Sequence, residues 1–582
     1  MLAEPSARDR RFAWTVYGAL ALGLVLLLLF RENDHRASLA HQGSIGIAGV
    51  TFDRGLSDAL YGVLAGLTGL GLALHAWLAR HALSRTRWYR RTAQAALSVL
   101  LLLSATNWLY LFGGVTRPDY PKVYDVYHYF LGPKYYDELG YFGLYECTVL
   151  ADAETLRFIG EQPIRDLGAY RFVDTSKVRA QSRCKESFSP ERWEEFKHDY
   201  EVIIGTAGRG AVRGMIRDYG YNGTPFQGLV AGALANAFSL DYRSMILSTL
   251  LDTLGVCAVL AGVTASFGWR LGSLVAIAFF TAFSDRFFYI GGSFFRYHWM
   301  ILSGFGLLAM ARRRYVTSGV CFALAAMLNV FPVLFLLGVG GKGALGLART
   351  RKLAPEHARF TLASMATAAG SFALTFLHAR GLENWREFLG DMGQHSQLVT
   401  VSRIGFRYLL LFRGQFTPEA ISNAARTAEL KAIAPVLFGL TAVGLAVILL
   451  LLPRLSDLEA TIMAGFGSFF LVFGTVEYYF GIYAYWLLLY ARHQADRTAQ
   501  AILALPFLCT AGIYVYWHET SFVAFCNNYL MSLSIMLFLS VTWLYLDRHT
   551  EGRTAHSSRL LQAGVGVLWV GILLTTAIRW PT

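Results

Sequence analysis

Charged residues are scarce in this chain of 582 residues: they make up 16% of it, whereas hydrophobic residues make up 55%. Soluble domains carry about 25% charged residues. This shortage of charge, together with a mean hydropathy of +0.41, excludes a soluble globular enzyme and a disordered chain. A folded core does not need so much apolar sequence, but a lipid bilayer does. The composition therefore predicts a membrane protein.

Cysteine is also rare, and the charge that is present has one dominant sign. The six cysteines are too few for a disulfide scaffold, and none forms a CxxC metal or redox pair. The formal net charge is +13, but the arginines cluster between apolar runs. That pattern is typical of cytoplasmic loops in a polytopic membrane protein. We therefore expect no nucleic-acid partner.

The sequence lacks the common motifs of soluble enzymes. It contains no Walker A loop, HExxH motif or GxSxG motif, and no Rossmann fingerprint in a strand–helix context. Glycine-rich pieces such as 338–343 are typical of loops. A nucleotide-driven pump is therefore disfavoured, and the energy for any reaction must arrive with the substrate or from an ion gradient.

Long apolar runs are present throughout the chain. A helix that spans a bilayer needs about 20 apolar residues. The first run lacks a small-residue cleavage site, so it is not a signal peptide. We predict about 13–15 transmembrane helices in an all-α polytopic fold, and the candidate spans are 14–30, 58–79, 93–113, 240–266, 271–287, 297–311, 360–378, 432–452, 459–476, 478–491, 499–516, 521–545 and 559–578.

The stretch 316–340 is apolar but carries Asn329 and Pro332 at its centre. The arginine clusters of the chain can all be cytoplasmic only if this stretch enters and leaves on the same side, as two half-helices. Broken helices at membrane depth are tolerated inside protein or beside a cavity. The charge distribution therefore predicts a broken half-helix pair next to an internal cavity.

This topology places residues 114–226 on the outer face as one large folded loop. The loop opens at 124–141 with acids and tyrosines, where Asp125 and His128 would share one face of a helical turn. Asp137 and Glu138 follow. These side chains predict a general-base site, although an interfacial helix with a few salt bridges explains the same pattern. They could also bind a divalent metal, but the spacing is not diagnostic.

Cys147 and Cys184 are the two cysteines of this loop. An outer loop of a bacterial inner membrane faces an oxidising compartment. We therefore expect a disulfide between them, with two unrelated thiols as the alternative.

Other polar residues are predicted on the same outer side. Charges at a membrane rim are costly and suggest function, although snorkelling to lipid headgroups explains some of the arginines. Basic residues beside an acidic cluster suit a substrate that carries a phosphate next to a nucleophile needing deprotonation. The candidates for substrate binding are His128, Tyr129, Arg296, His298, His395, Arg403, Arg407 and Glu477.

Together these features resemble the GT-C class of membrane glycosyltransferases, over roughly residues 93–480. The 125–141 segment resembles the opening of that class's large outer loop. The stretch 296–339 resembles the polyprenol-phosphate-mannose-dependent mannosyltransferases of the class. Two departures are visible: two extra spans come first, and Asn329 stands where a lysine is common.

The resemblance implies the domain organisation. Residues 1–92 would form a two-helix membrane extension, 93–480 the catalytic membrane core with its outer loop 114–226, and 481–582 a set of C-terminal transmembrane helices. The expected location is the bacterial inner membrane, with an extracytoplasmic active face.

The resemblance also implies the reaction, an inverting sugar transfer. Asp125 would take a proton from the acceptor hydroxyl, with Asp137 and Glu138 as further catalytic candidates. The donor would be a polyprenyl-phosphate sugar, and the acceptor a lipid, a glycan or a protein. The residues expected to stabilise the leaving phosphate are Arg296, His298, Arg403 and Arg407.

Other functions are compatible with the sequence. A transporter or flippase for lipid-linked or anionic substrates would use the same broken helix and cavity, but the large outer loop disfavours it. A polysaccharide polymerase or ligase would share the lipid-phosphate donor and act through a basic outer loop. A purely structural anchor protein is the least compatible with the sequence, because so many ionisable residues are predicted at the membrane rim.

Overall fold

The computed structural model describes residues 7–29, 45–47, 50–52, 54–79, 81, 86–109, 120–378, 380–412, 423–552 and 554–579. Helices dominate this part of the chain. The longer ones are Ala7–Leu29, Arg54–Leu78, Arg87–Trp108, Leu144–Glu154, Pro190–Met215, Pro225–Ala235, Leu250–Phe267, Trp269–Thr281, His298–Ala311, Tyr315–Leu328, Val333–Thr350, Pro355–Leu374, Gly381–Ser396, Asn423–Ala432, Ala434–Leu451, Glu477–Tyr490, Arg497–Thr520, Ser532–His549 and Ala555–Arg579.

Short elements connect these helices. The short helical turns are Val123–Val126, Tyr127–Leu131, Gly132–Lys134, Tyr136–Leu139, Thr175–Gln181, Cys184–Ser187, Tyr242–Ser248, Phe283–Asp285, Phe287–Ile290, Thr375–Leu377, Phe406–Leu410, Leu452–Arg454, Asp457–Ile462, Met463–Gly467, Ser468–Val472 and Phe525–Met531. The strands form antiparallel pairs, Ile45–Ile47 with Val50–Phe52, Ile164–Asp166 with Arg171–Val173, and Arg403–Ile404 with Thr475–Val476.

The helices have the composition of membrane spans. Eight are long and apolar enough to cross a bilayer, and four shorter apolar helices accompany them within the described residues. The chain is thus an all-α polytopic membrane protein, as predicted. The predicted total of about 13–15 transmembrane helices, which includes the broken half-helix pair, stays a prediction. Parts of some predictions, namely residues 30, 110–113 and 114–119, lie outside the described residues.

Two predicted spans differ from ordinary α-helices. The span predicted at 459–476 consists of Asp457–Ile462, Met463–Gly467 and Ser468–Val472, and so changes its helical winding along its length. The span predicted at 478–491 is a 14-residue 3₁₀-helix, Glu477–Tyr490. A 3₁₀-helix rises about 2.0 Å per residue, so this element still extends nearly as far as the roughly 30 Å hydrocarbon core.

The predicted break in the 316–340 stretch is present. Helix Tyr315–Leu328 ends before Asn329, and helix Val333–Thr350 begins after Pro332. The rings of Phe322 and Phe335 stack with centroids 5.2 Å apart, so the two half-helices lie against each other as a hairpin. Proline has no N–H to continue a helical ladder, which explains why the chain reverses here.

The helix bundle has two chemically different ends. Helices Leu250–Phe267 and His298–Ala311 run in parallel. The Arg296 N–H donates to Asp252 at one end (2.9 Å), and the Arg312 guanidinium donates to Ser266 at the other (2.9 Å). We call the end that contains Arg296 the site end, and the end that contains Arg312 the basic end.

The basic end gathers the cationic clusters of several helices. Arg313, Lys342 and Arg492 line one pocket there, beside Asp457. The Asp457 carboxylate accepts hydrogen bonds from the Tyr315 hydroxyl (2.7 Å) and the Lys342 ammonium (2.7 Å). Both half-helices of the hairpin are therefore anchored at the basic end, as the charge distribution predicts.

The described part of the large loop, residues 120–226, is called the loop unit below. It is compact and is cross-linked by a disulfide. Cys147 and Cys184 form a disulfide with their Cα atoms 5.5 Å apart and 37 residues of sequence separation, within the usual range for such bonds. The buried Asp152 carboxylate accepts bonds from two backbone N–H groups at 2.9 Å and from the Tyr200 hydroxyl at 2.8 Å. These bonds satisfy the acid and hold helices Leu144–Glu154 and Pro190–Met215 together.

The N-terminal extension packs closely on the rest of the bundle. Helix Arg54–Leu78 lies against helix Arg497–Thr520. A Cβ atom added at Gly62 would come within 2.8 Å of Tyr514, and one at Gly69 within 2.8 Å of Leu508. Small residues at such positions let membrane helices approach closely, so the extension forms part of the folded body.

Candidate functional site

A cavity of about 800 Å³ opens at the site end. The broken hairpin lies under it and contributes its tip, 329–331. The other walls come from the first turn of the loop unit, the far part of helix Pro190–Met215, the 388–403 segment and the 475–479 segment. Elements that are far apart in sequence thus form one pocket, with the volume of a typical small-molecule site.

Asp125 lies in this cavity and is fully buried. One carboxylate oxygen forms an ion pair with the Arg296 guanidinium. The other accepts a hydrogen bond from the Ser293 hydroxyl at 2.6 Å and lies 3.1 Å from the Lys122 ammonium. Both oxygens of Asp125 therefore have partners.

The pKa of Asp125 reflects these neighbours. Burial raises the pKa of the carboxyl, but the charges of Arg296 and Lys122 lower it by more, so that the net pKa lies below its ordinary value. An opposite charge within hydrogen-bond distance favours the ionised form. Asp125 is consequently a permanent anion near neutral pH.

The segment 291–297 brings Arg296 to Asp125. Gly292 has a φ of 75°, and a Cβ atom there would lie 2.6 Å from the backbone nitrogen of Lys122. Phe295, directly before the arginine, also has a positive φ of 51°. Such backbone conformations are uncommon outside glycine and concentrate at functional sites.

Asp252 holds the 291–297 segment in place. Its buried carboxylate accepts the backbone N–H groups of Arg296 and Tyr297 at 2.9 and 3.0 Å, and it lies 2.8 Å from the His298 Nδ1 atom. His298 therefore supports the arginine segment and does not line the cavity. The Arg296 guanidinium lies 4.1 Å from the centre of the Tyr478 ring, a cation–π contact.

Glu477 is a second buried carboxylate in the cavity, 4% exposed. It follows strand Thr475–Val476, which pairs with Arg403–Ile404, and its N–H donates to the Ser402 carbonyl at 3.0 Å. Tyr289 lines the same cavity. The Glu477 Oε2 atom has no hydrogen-bond partner among the described residues. Burial raises the pKa of Glu477 to about 7.

A polar network lies at the opposite wall of the cavity. The His395 ring accepts a 2.7 Å hydrogen bond from the Arg403 guanidinium, and both side chains line the cavity. Burial lowers the pKa of His395 to about 3, with the Arg403 charge adding to the effect. Behind it, the Tyr170 hydroxyl donates to Asp391 at 2.5 Å. Burial raises the pKa of Asp391 to about 7.

Several residues predicted at the site lie elsewhere. Asp137 pairs with the His378 ring at 2.8 Å, and Glu138 with the Arg192 guanidinium at 2.6 Å. Neither carboxylate lines the cavity. Arg407 is also outside the cavity lining, and its guanidinium donates to backbone carbonyls of 396 and 472.

His128 and Tyr129 are buried and do not line the cavity. The His128 ring bonds to the Tyr124 carbonyl and the Tyr145 hydroxyl, each at 2.8 Å. Tyr129 contacts the site through its ring, 5.1 Å from the Arg296 guanidinium. The four side chains considered as metal ligands, at 125, 128, 137 and 138, are not brought together. Within the described residues no group of three or more His, Cys, Asp and Glu side chains could hold a metal ion.

The sequence did not point to some residues that form the site. Lys122 and Asp218 line the cavity, and Asp252 holds its arginine segment. An acid inside an apolar span is a signal of function, so Asp252 could have been singled out. Asp218 sits among ordinary loop charges, and only the fold brings it to the cavity.

No protein-family model matches the chain, and a search of the curated proteins finds no match.

Proposed function

We propose that the protein is an integral membrane glycosyltransferase. It moves a sugar from a polyprenyl-phosphate-linked donor to an acceptor hydroxyl, with inversion, on the extracytoplasmic face of a bacterial inner membrane. The observation that carries the proposal is the cavity at the site end, in which two buried carboxylates lie beside Arg296 and Lys122.

The position of the cavity supports a lipid-linked donor. It lies at the opposite end of the bundle from the cationic clusters, which mark the cytoplasmic side. Apolar atoms contribute most of its lining surface, through side chains such as Val330, Phe331 and Met392. A polar headgroup and the first part of an apolar chain would both find matching surfaces here.

Its charges support a phosphate leaving group. Arg296 and Lys122 present cations to the cavity, and Arg403 presents another from the far wall. Preorganised cations in a water-poor pocket stabilise the charge that develops as the bond to phosphate breaks. Arginine binds phosphate oxygens with fixed geometry. Tyr478, which lies against Arg296, adds an aromatic surface for a sugar.

The carboxylates supply the remaining chemistry. A cavity carboxylate takes the acceptor proton, the acceptor oxygen attacks the anomeric carbon, and the polyprenyl phosphate leaves. A single displacement of this kind inverts the anomeric centre. Retention would require a second carboxylate as nucleophile about 5–5.5 Å from the first.

The test uses the purified full chain in lipid nanodiscs with a panel of short-chain polyprenyl-phosphate sugars. Release of polyprenyl phosphate is measured in the presence of membrane-derived lipid and glycan acceptors, and the product anomer is assigned by NMR. Arg296→Gln should abolish release. Arg312→Gln, at the basic end, is the matched control and should retain it.

Failure has a specific form. If every donor binds with Arg296-dependent affinity but none turns over, the transporter or flippase alternative replaces this proposal. If no donor binds, the lipid-phosphate substrate class is wrong. A product that retains the anomeric configuration would exclude single displacement.

A further inference from the structure

Three carboxylates line the cavity, and the two buried ones, Asp125 and Glu477, differ in how their oxygens are engaged, whereas Asp218 is half-buried. Both oxygens of Asp125 have partners, Arg296 on one and Ser293 with Lys122 on the other. Glu477 has an Oε2 atom without a hydrogen-bond partner among the described residues. A proton acceptor needs a lone pair that no other donor occupies, and of these two buried carboxylates Glu477 is the one that has it.

We infer that Glu477 is the group that takes the proton from the acceptor hydroxyl, and that Asp125 positions Arg296 for the donor phosphate. This inference rests on the proposed function. In the step, the acceptor oxygen forms a bond to the anomeric carbon while the bond from that carbon to the phosphate oxygen breaks. The electron pair leaves on the phosphate, and the acceptor proton moves to Glu477 Oε2.

The groups that face Glu477 come from three directions. Lys122 approaches from the start of the loop unit, and Arg286 and Tyr289 from the 285–290 segment. Arg403 lies on the paired strand. Arg286 and Lys122 lower the pKa of Glu477 by less than burial raises it, so the acid retains affinity for a proton.

The Tyr289 side chain is held in place by its own contacts. The Arg286 guanidinium donates to the Tyr289 hydroxyl at 2.8 Å and lies 3.4 Å from Asp58 of the N-terminal extension. These contacts therefore link Asp58, through Arg286, to Tyr289 in the wall of the cavity.

The acid–base properties agree with this division. A general base works best with a pKa near the working pH. Burial raises the pKa of Glu477 to about 7. In Asp125, burial also raises the pKa, but Arg296 and Lys122 lower it below its ordinary value. Neighbouring carboxyls with pKa values pushed apart commonly serve different roles.

The first experiment titrates the carboxyl without any substrate. Infrared difference spectra of the full chain are recorded between pH 5 and 9, in an Asp391→Asn background because the pKa of that acid is also raised to about 7. A protonated-carboxyl C=O band should disappear with a midpoint near the Glu477 pKa of about 7. Glu477→Gln should remove that band, and Glu194→Gln, on the loop surface, should keep it.

The second experiment measures turnover of whichever short-chain polyprenyl-phosphate sugar supports transfer. Glu477→Gln should lower kcat by about 10²–10⁴-fold with the donor KM nearly unchanged, and should abolish the fall of kcat below pH 7. Asp125→Asn should mainly raise the donor KM. Glu477→Asp keeps the carboxyl and is the control for a folding defect. It should still show a fall of kcat at low pH, with a shifted midpoint.

The outcomes separate this inference from the proposed function. A titrating band that survives Glu477→Gln overturns the inference whether or not any donor is used. So does a Glu477→Gln enzyme with wild-type kcat and pH profile. If the band behaves as expected but no donor turns over, the sugar-transfer function fails and with it the assignment of Glu477 as its base.

Discussion

Arg296 and Asp125 form a buried ion pair although 171 residues separate them in the sequence. The pair joins the loop unit to the start of helix His298–Ala311. Both charges are buried, so removing Asp125 leaves the Arg296 guanidinium without its carboxylate partner, whereas removing Arg296 leaves Asp125 with Lys122 as its remaining cation.

The stability of this pair can be measured directly. Removing one partner of a buried ion pair typically costs about 3–5 kcal/mol. We expect Asp125→Asn and Arg296→Gln each to lower the free energy of unfolding by that order, and the double variant to lose less than the sum. Reversible unfolding in SDS monitors the series.

The control for that cycle is a pair near the surface. Glu161 and Arg179 form an ion pair at 2.6 Å with side chains 75% and 29% exposed. Exposed pairs contribute about 0–1 kcal/mol, so Glu161→Gln should change stability little. Additive losses in the Asp125–Arg296 cycle would mean that the two charges do not depend on each other.

A second prediction concerns the loop disulfide. Closing a loop of 37 residues restricts the unfolded chain by about 3–4 kcal/mol in the chain-entropy model. A Cys147→Ser, Cys184→Ser double variant should therefore unfold at lower temperature, whereas Cys321→Ser, a free cysteine, should not. Free thiols at both loop positions under non-reducing mass spectrometry would contradict the pairing.

A third prediction concerns the sidedness of the two ends. A membrane-impermeant maleimide added to intact cells should label Ala169→Cys, on the loop unit, but not Thr350→Cys, at the basic end. Both positions are exposed in the structure. Permeabilised cells should show labelling at both. The reverse pattern in intact cells would place the cavity on the cytoplasmic side.

A fourth prediction is a pH dependence of stability. The pKa of Asp391 rises from 3.8 in the unfolded chain to about 7 in the fold, so the folded state binds the proton more tightly. Its stabilising contribution is complete below about pH 4 and is lost as the pH rises towards 7. The thermal unfolding temperature of Asp391→Asn should therefore fall less steeply with rising pH than that of the wild type over this range. Parallel curves for the two proteins would disprove the shift.

The broken hairpin shows what the sequence can predict. Pro332 cannot continue a helix, and the arginines before and after the 316–340 stretch require it to return to its starting side. These are local and compositional signals, so the break could be placed to within a few residues. The disulfide followed in the same way, from two cysteines in one outer loop.

The site was harder to predict from the sequence, because it forms only when segments that are distant in the chain pack together. Asp125, Asp137 and Glu138 look alike in sequence, but only Asp125 meets the 291–297 segment. His298 was expected in the cavity beside Arg296, yet the helix turns it towards Asp252. Which of several neighbouring polar residues faces a pocket is decided by packing that no local pattern encodes.

The close contact between helices Arg54–Leu78 and Arg497–Thr520 has a consequence for biosynthesis. More than four hundred residues separate the two helices in the sequence, and ribosomes add about 5–20 residues per second. The glycine face of the first helix therefore waits in lipid for roughly 20–80 seconds before its partner is made. A nascent chain that ends before residue 497 therefore lacks the helix against which Gly62 and Gly69 pack.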